Sequence, residues 1–200
     1  MVKTAVFVSG GGTNLQALID AKNNGALPSC ELALVVASRA DAGALGRAER
    51  ANIPALALPR KEYSSAAAYD VALCAALEEH EIEFVVLAGF LSILGEEMVK
   101  KYDGRIINVH PSLIPSFCGK GFYGLRVHQA ALAYGVKVTG ASVHYVNEVP
   151  DGGRIIAQKA VEVLPGDTPE LLQQRVMEQA EWVLLPAALE SCCEEILKSR

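Results

Sequence analysis

The stretch VKTAVFVSGGGTNLQALIDAKNNG, residues 2–25, passes from a nearly unbroken aliphatic run through three glycines into apolar residues spaced three and four apart. Val2 to Val8 predicts a strand buried on both faces, because a strand with one wet face would alternate polar and apolar side chains. Asn14 to Asn24, stopped by Gly25, predicts a helix. The same grammar recurs along the first half. Glu31 to Ala37, Pro54 to Leu58, Glu83 to Ala88 and Arg105 to Val109 predict strands. Gly43 to Ala51 behind an Asp41 cap, and Ala66 to Glu79 behind Ser64-Ser65, predict helices. Strands and helices in alternation predict an α/β fold, a Rossmann-like doubly wound, mostly parallel sheet.

After residue 110 the pattern changes. Gly124 to Tyr134 predicts a helix, while Lys137 to Val146 and Arg154 to Val163 predict two strands joined through Val149-Pro150-Asp151-Gly152-Gly153. A turn of Pro, Asp and Gly between two extended runs predicts an antiparallel addition to the sheet. From Thr168, which caps Pro169 and Glu170, the chain is predicted helical, with Pro186 ending or kinking the first piece before Ala187 to Lys198. No repeat or linker interrupts this order, so residues 1–200 are expected to form one domain.

Composition narrows the partners. The 200 residues carry 18 Lys plus Arg against 23 Asp plus Glu, a net charge of −5, which lacks the broad basic field of a non-specific nucleic-acid or membrane binder. Any anion must be held locally. The longest uncharged apolar stretch, Phe84 to Gly95, is far short of the roughly 20 residues a bilayer span needs. The five cysteines are odd in number and form no C-x-x-C pair, as expected of reduced thiols in the cytoplasm.

Three constellations carry possible chemistry. Ser9-Gly10-Gly11-Gly12-Thr13-Asn14 lies between a strand and a helix, where backbone N–H groups and the helix N-terminus can close around a phosphate. The alternative is a tight turn with Thr13 or Asn14 as N-cap. A dinucleotide fingerprint fails, because Leu15 replaces the third glycine and Ser38-Arg39 stands where an NAD-reading acid belongs. Cys118-Gly119-Lys120-Gly121 superficially matches a Walker loop but has glycine where Ser or Thr must hold magnesium. Its glycines, with Gly124 and the nearby Lys120 and Arg126, mark either an active-site lid or a solvated connection. Asn108-Val109-His110-Pro111-Ser112 ends the fifth strand, at the sheet edge where α/β proteins bind ligands. Strand alternation points Asn108 and His110 to one side, bringing a carboxamide and an imidazole to one point.

Of the other histidines, His80 lies in a charged run, His128 on a helix, and His144 on a strand from which it can approach a cleft or take a buried hydrogen-bonded role. None has the ligand spacing of a zinc site, and no metal is expected. Asp151 sits on a glycine-rich turn, free either to reach a ligand or only to form the turn.

Together these residues resemble the phosphoribosylglycinamide formyltransferases. The resemblance spans nearly the whole chain: Gly12-Thr13-Asn14, Leu87 to Leu94, Asn108 to Pro115, Ser142-Val143-His144 and Asp151-Gly152-Gly153, in order and at fitting intervals. It implies transfer of a formyl group from 10-formyltetrahydrofolate, a cosubstrate, to the amine of glycinamide ribonucleotide in de novo purine biosynthesis. Asn108, His110 and Asp151 match the family's catalytic trio; Gly12, Thr13, Asn14 and Glu181 match its substrate contacts. Leu91, Ser92, Ile93 and Leu94 match the wall that receives the folate's pterin, with Asn108 beside them. Asn108 and protonated His110 would stabilise the developing oxyanion, His110 would assist proton movement toward the departing folate nitrogen, and ionised Asp151 would favour protonated His110 and raise its pKa.

Three departures from the family pattern stand out. Ala66 replaces an arginine that contacts the folate in some members, with Lys61 nearby. One additional residue separates Arg175 from Glu181, and Trp182 follows Glu181 where the family has histidine. Residues 117–126 differ from the family's shorter loop. Related enzymes sharing Asn-x-His are formyltetrahydrofolate hydrolases, with an N-terminal regulatory module, and methionyl-tRNA formyltransferases, with a C-terminal RNA-binding barrel. The chain's length and acidity favour the small-molecule transferase, as a monomer or homodimer with no nucleic-acid or membrane partner. A non-catalytic nucleotide-phosphate binding module is the reading from another class.

Overall fold

The computed structural model describes residues 1–200. Five strands run parallel: β1 (Val2–Val8), β2 (Cys30–Ala37), β3 (Ala55–Ala57), β4 (Phe84–Leu87) and β5 (Ile106–His110). β6 (Val138–Tyr145) pairs antiparallel with β5, and β7 (Ile155–Glu162) antiparallel with β6. The order across the sheet is β3-β2-β1-β4-β5-β6-β7. This is the doubly wound sheet with an antiparallel addition that the alternation predicted.

Helices cover both faces, which is why the central strands are aliphatic throughout. On one face, α1 (Thr13–Asn23), α2 (Gly43–Arg50) and α7 (Trp182–Lys198) place Leu15, Leu18, Ala44 and Leu189 in one cluster with Val6, Val8 and Val35. On the other, α3 (Ala66–Glu79) and α4 (Glu96–Lys101) place Tyr69, Leu73 and Met98 against Ala5, Phe7 and Val36. Each such fully buried aliphatic or aromatic side chain contributes about 1.5–3 kcal/mol over its exposed state. α5 (Leu125–Tyr134) and α6 (Pro169–Val176) flank the antiparallel end, where Leu172 and Val176 pack on Ala141 and Val161.

Several local expectations change. α4 was not expected: six residues are too few for a periodic signal, and what starts the helix is a side chain from elsewhere, Asp70 of α3, whose Oδ1 accepts from the Gly95 N–H at 2.9 Å. Asp41 does not cap α2, which starts behind Ala42 with no side-chain cap, because the Asp41 carboxylate is drawn to Arg39 at 2.7 and 2.9 Å. Ser65 and Thr168 do cap α3 and α6. The C-terminal helix is not interrupted at Pro186, which lies inside α7. Its irregularity is a π turn over Met177–Glu181, between α6 and α7. A π turn holds one residue more than an α turn, so it absorbs the additional residue between Arg175 and Glu181 while Leu185 and Leu189 stay on the core face.

β1 has β2 on one side and β4 on the other, so the chain reverses its winding direction there and the loops after β1 and β4 part at the carboxyl edge. Ser9 ties this edge together: its hydroxyl accepts from the Leu91 N–H at 2.8 Å and lies 2.6 Å from the Ser38 hydroxyl.

Candidate active site

The glycine loop opens on this crevice. Gly12 has φ 74°, and a Cβ there would stand 2.6 Å from the Ala44 Cβ, so only glycine lets the loop lie against α2. Arg47 donates to the Gly11 carbonyl at 2.7 Å. The N-cap of α1 is Gly12, and no side chain caps the helix. Thr13 and Asn14 are therefore not caps. The Thr13 hydroxyl faces the Met177 sulfur at 3.8 Å, and the Asn14 amide donates to Glu181 Oε2 at 2.7 Å. The first N–H groups of α1 are thus left to an external acceptor, as an anion cradle requires. Glu181 is 6% exposed, and burial pushes its carboxyl above the ordinary range against the opposing Asn14 bond.

The second cluster forms where β5 and β6 lie side by side. Their register sets Asn108 opposite His144 and His110 opposite Ser142. Asn108 Nδ2 lies 3.1 Å from His144 Nε2 and donates to Asp151 Oδ1 at 3.4 Å. Asp151 Oδ1 stands 3.5 Å from His144 Nε2, and its Oδ2 stands 3.5 Å from His110 Nδ1. The Gly119 N–H donates to Asp151 Oδ2 at 2.8 Å. Asp151, on the turn after β6, has φ 56°, a left-handed conformation that Asp tolerates better than most residues. Asn108, His110 and Asp151, proposed from sequence, meet here, and His144 joins them. The same period of two that aligned Asn108 with His110 also aligns Ser142 with His144. What was illegible was the antiparallel register that lays the two pairs together.

Ser142 secures the turn after β5. Its hydroxyl donates to the Ser112 carbonyl at 2.7 Å and accepts from the Ile114 N–H at 3.0 Å.

Carbonyl partners assign the ring protons. His144 Nδ1 faces the Tyr145 carbonyl at 2.8 Å and must donate, so neutral His144 accepts at Nε2 from Asn108. His110 Nε2 faces the Phe117 carbonyl at 2.9 Å and must donate likewise, which leaves Nδ1 bare toward Asp151. Burial pushes the His110 pKa below its ordinary value, outweighing Asp151 and the Phe117 carbonyl, which pull upward. Asp151 does pull the value upward, as expected, but desolvation of the imidazolium is the larger effect, so the expectation of a protonated His110 stabilising the oxyanion is corrected to a resting neutral ring. For Asp151, burial pushes upward, but His144 and His110, each when protonated, and the Gly119 N–H pull its carboxyl below the usual range.

Beside this cluster lies an apolar slot of about 150 Å³, lined by Ser92, Ile93 and Leu94 on one side and by Asn108, His144 and Asp151 on the other. Ile93 is 76% exposed, apolar surface with no partner in the chain. Leu91, 60% exposed, turns instead to a second depression of about 730 Å³ that also holds Ser92, Arg39, Arg60 and Lys61. Ser92 thus borders both.

His128 of α5 is fully buried, and neither ring nitrogen has a partner. Burial, then His110, pushes its pKa down to about 4. The folded value lies below the unfolded one, so the unfolded chain binds more protons and stability falls as pH drops from about 6.5 toward 4. The expected loss at this residue alone is about 2 kcal/mol between pH 7 and pH 5. Urea titrations of the parent and a His128→Leu variant check it: the variant's midpoint should vary less with pH, and equal slopes would show that His128 is not the titrating group.

Comparison with known proteins follows the whole chain. Residues 2–189 match the formyl transferase family. The chain is 46% identical over 189 residues to the chicken (Gallus gallus) trifunctional purine biosynthetic protein adenosine-3, covering 94% of this chain and 18% of that protein. It is 39% identical over 199 residues to the chloroplastic phosphoribosylglycinamide formyltransferase of Arabidopsis thaliana, covering 99% of this chain and 68% of the relative. The crystal structure of glycinamide ribonucleotide transformylase 1 from Symbiobacterium toebii superposes with a TM-score of 0.91 at 40% identity, covering 98% of this chain and 89% of that one. With its glycine cradle, its Asn108–His110–Asp151 cluster and this likeness along its length, the chain belongs to the formyl transferase family, among the phosphoribosylglycinamide formyltransferases.

Proposed function

We propose that this chain transfers the formyl group of 10-formyltetrahydrofolate to the amine of 5'-phosphoribosylglycinamide, in de novo purine biosynthesis. The observation that carries the reading is the meeting of Asp151 with both Asn108 and His110 beside an apolar slot. The uncapped glycine loop at Gly12, Thr13 and Asn14 takes the acceptor's phosphate, and Glu181, held by Asn14, stands next to it. Ser92, Ile93 and Leu94 receive the flat pterin ring of the donor. The donor's glutamate carboxylates fit the depression at Arg60 and Lys61, whose wall also carries Glu62 and the Arg39–Asp41 pair. Lys61→Ala is expected to raise the KM for the folate about tenfold and to leave that for the amine unchanged; unchanged folate KM would move the tail elsewhere.

The amine's lone pair forms the new C–N bond while the formyl C=O pair moves onto oxygen. Asn108 exchanges its long 3.4 Å contact with Asp151 for a bond to that oxyanion. His110, neutral and bare at Nδ1, accepts the proton the attacking nitrogen must lose. The imidazolium so formed lies beside ionised Asp151, an attraction absent in the ground state and present as charge develops, which is the kind that speeds a reaction. The proton then goes to the departing folate nitrogen as its C–N bond breaks.

An absorbance assay for deformylated folate tests this. Product that depends on the amine supports the transferase; product without it makes the chain a hydrolase; binding of both ligands without product leaves a binding module. Activity only with a charged initiator tRNA would point to a methionyl-tRNA formyltransferase. The chain acts as one formyltransferase domain over residues 1–200, as a monomer or homodimer. No helix is long and apolar enough to cross a membrane, and all five cysteines are free thiols, which supports a cytoplasmic place.

A further inference from the structure

We propose that Phe117 and Gly119 form a backbone clamp across His110 and Asp151, making Phe117 a positioning residue that selects the tautomer of the catalytic imidazole. The inference rests on the role given to His110 above.

The tripeptide Phe117-Cys118-Gly119 reaches both members of the pair. The Phe117 carbonyl accepts from His110 Nε2 at 2.9 Å and from the Ser112 hydroxyl at 3.4 Å. Two residues on, the Gly119 N–H donates to Asp151 Oδ2 at 2.8 Å. One backbone segment can serve both partners because the chain reverses at Phe117, where φ is 50°. A bulky residue pays for that conformation, at about 1–2 kcal/mol, and keeps it only where the surroundings hold it. What holds it is aromatic: the Phe117 ring meets Tyr134 of α5 edge-on at 5.9 Å and Phe122 at 6.4 Å. Gly119 and Gly121, at φ 84° and 95°, let the loop turn back to bring Phe122 against that ring.

The clamp has a chemical consequence. A carbonyl only accepts, so Nε2 of neutral His110 carries the hydrogen and Nδ1 carries the lone pair. Without the carbonyl, the opposite tautomer would donate from Nδ1 to Asp151 and spend there the nitrogen that takes the proton from the attacking amine. The clamp thus keeps Nδ1 a base and stores the contact with Asp151 for the protonated state.

The test combines spectroscopy with kinetics. With 15N-labelled histidine, the His110 signals, assigned by their loss in His110→Ala, should show the Nε2–H tautomer at neutral pH in the parent protein. In Phe117→Ala they should shift toward Nδ1–H, with kcat lowered ten- to a hundredfold, KM for both substrates within about twofold, and recovery in Phe117→Tyr. Tyr134→Ala removes the edge contact from an 81% exposed position, where folding is undisturbed, and should move tautomer and kcat in the same direction by a smaller factor. An Nδ1–H tautomer in the parent overturns the clamp, as does an unchanged tautomer in both Phe117→Ala and Tyr134→Ala. The tautomer is read without turnover. If the parent proves inactive in the formyl assay while its tautomer depends on Phe117, the clamp stands and the proposed reaction falls.

Discussion

Replacing His110 by alanine is expected to lower kcat by about a thousandfold, with KM for both substrates changed no more than a few fold. The imidazole is 4% exposed and held between the Phe117 carbonyl and Asp151, which suits the proposed part in proton movement better than gripping a ligand. Its pKa sits below the ordinary value, and in the proposed mechanism the neutral ring is the working form. Activity should therefore be level at neutral pH and fall on the acid side, as Nδ1 becomes protonated before the amine arrives. Asp151→Asn takes away a charge that pulls the His110 pKa upward, so the acid limb should move to lower pH while kcat drops about a hundredfold. The two shifts together are the signature; normal turnover with an unmoved limb in Asp151→Asn would remove Asp151 from the mechanism.

The second large effect is steric. A Cβ on Gly153 would lie 1.8 Å from the Tyr145 carbonyl oxygen and 2.7 Å from its carbon. Both are backbone atoms of β6, and Tyr145 is pinned there by its N–H bond to the Arg154 carbonyl at 2.9 Å. Neither can yield, so the turn carrying Asp151 must move instead. Gly153→Ala should cost about 3 kcal/mol in a urea titration, the upper end for overpacking, and reduce kcat by about a hundredfold, since a displacement near 1 Å at a catalytic group has effects of that order. Parent-like stability and turnover together would show that the turn has room to spare.

His110→Ala and Gly153→Ala probe what differs in kind between the two halves of this protein. The parallel half is written locally. Val2 to Val8, Glu31 to Ala37 and the helices between them announce themselves because burial on both faces demands continuous apolar runs and because helix faces repeat every three to four residues. The glycine loop and the Asn108–His110 alternation follow from the same local rules. Where a neighbour distant in sequence decides the outcome, the local signal misleads. α4 begins at Gly95 because Asp70 reaches across from α3, and Asp41 forsakes α2 because Arg39 is nearer.

The sequence by itself determined the fold class, the succession of strands and helices along the chain, and the residues proposed for the chemistry at the sheet's carboxyl edge. Tertiary structure decided how they meet and which residue joins them. The antiparallel register of β5 and β6 brings His144 to Asn108, the left-handed turn at residue 151 swings a carboxylate between the two histidines, and burial lowers the His110 pKa against the pull of that same carboxylate. The physical reason is range. Periodicity and turn chemistry act over a few residues and can be read along the chain, whereas register, desolvation and a backbone carbonyl at position 117 act through space, on groups the chain order keeps apart.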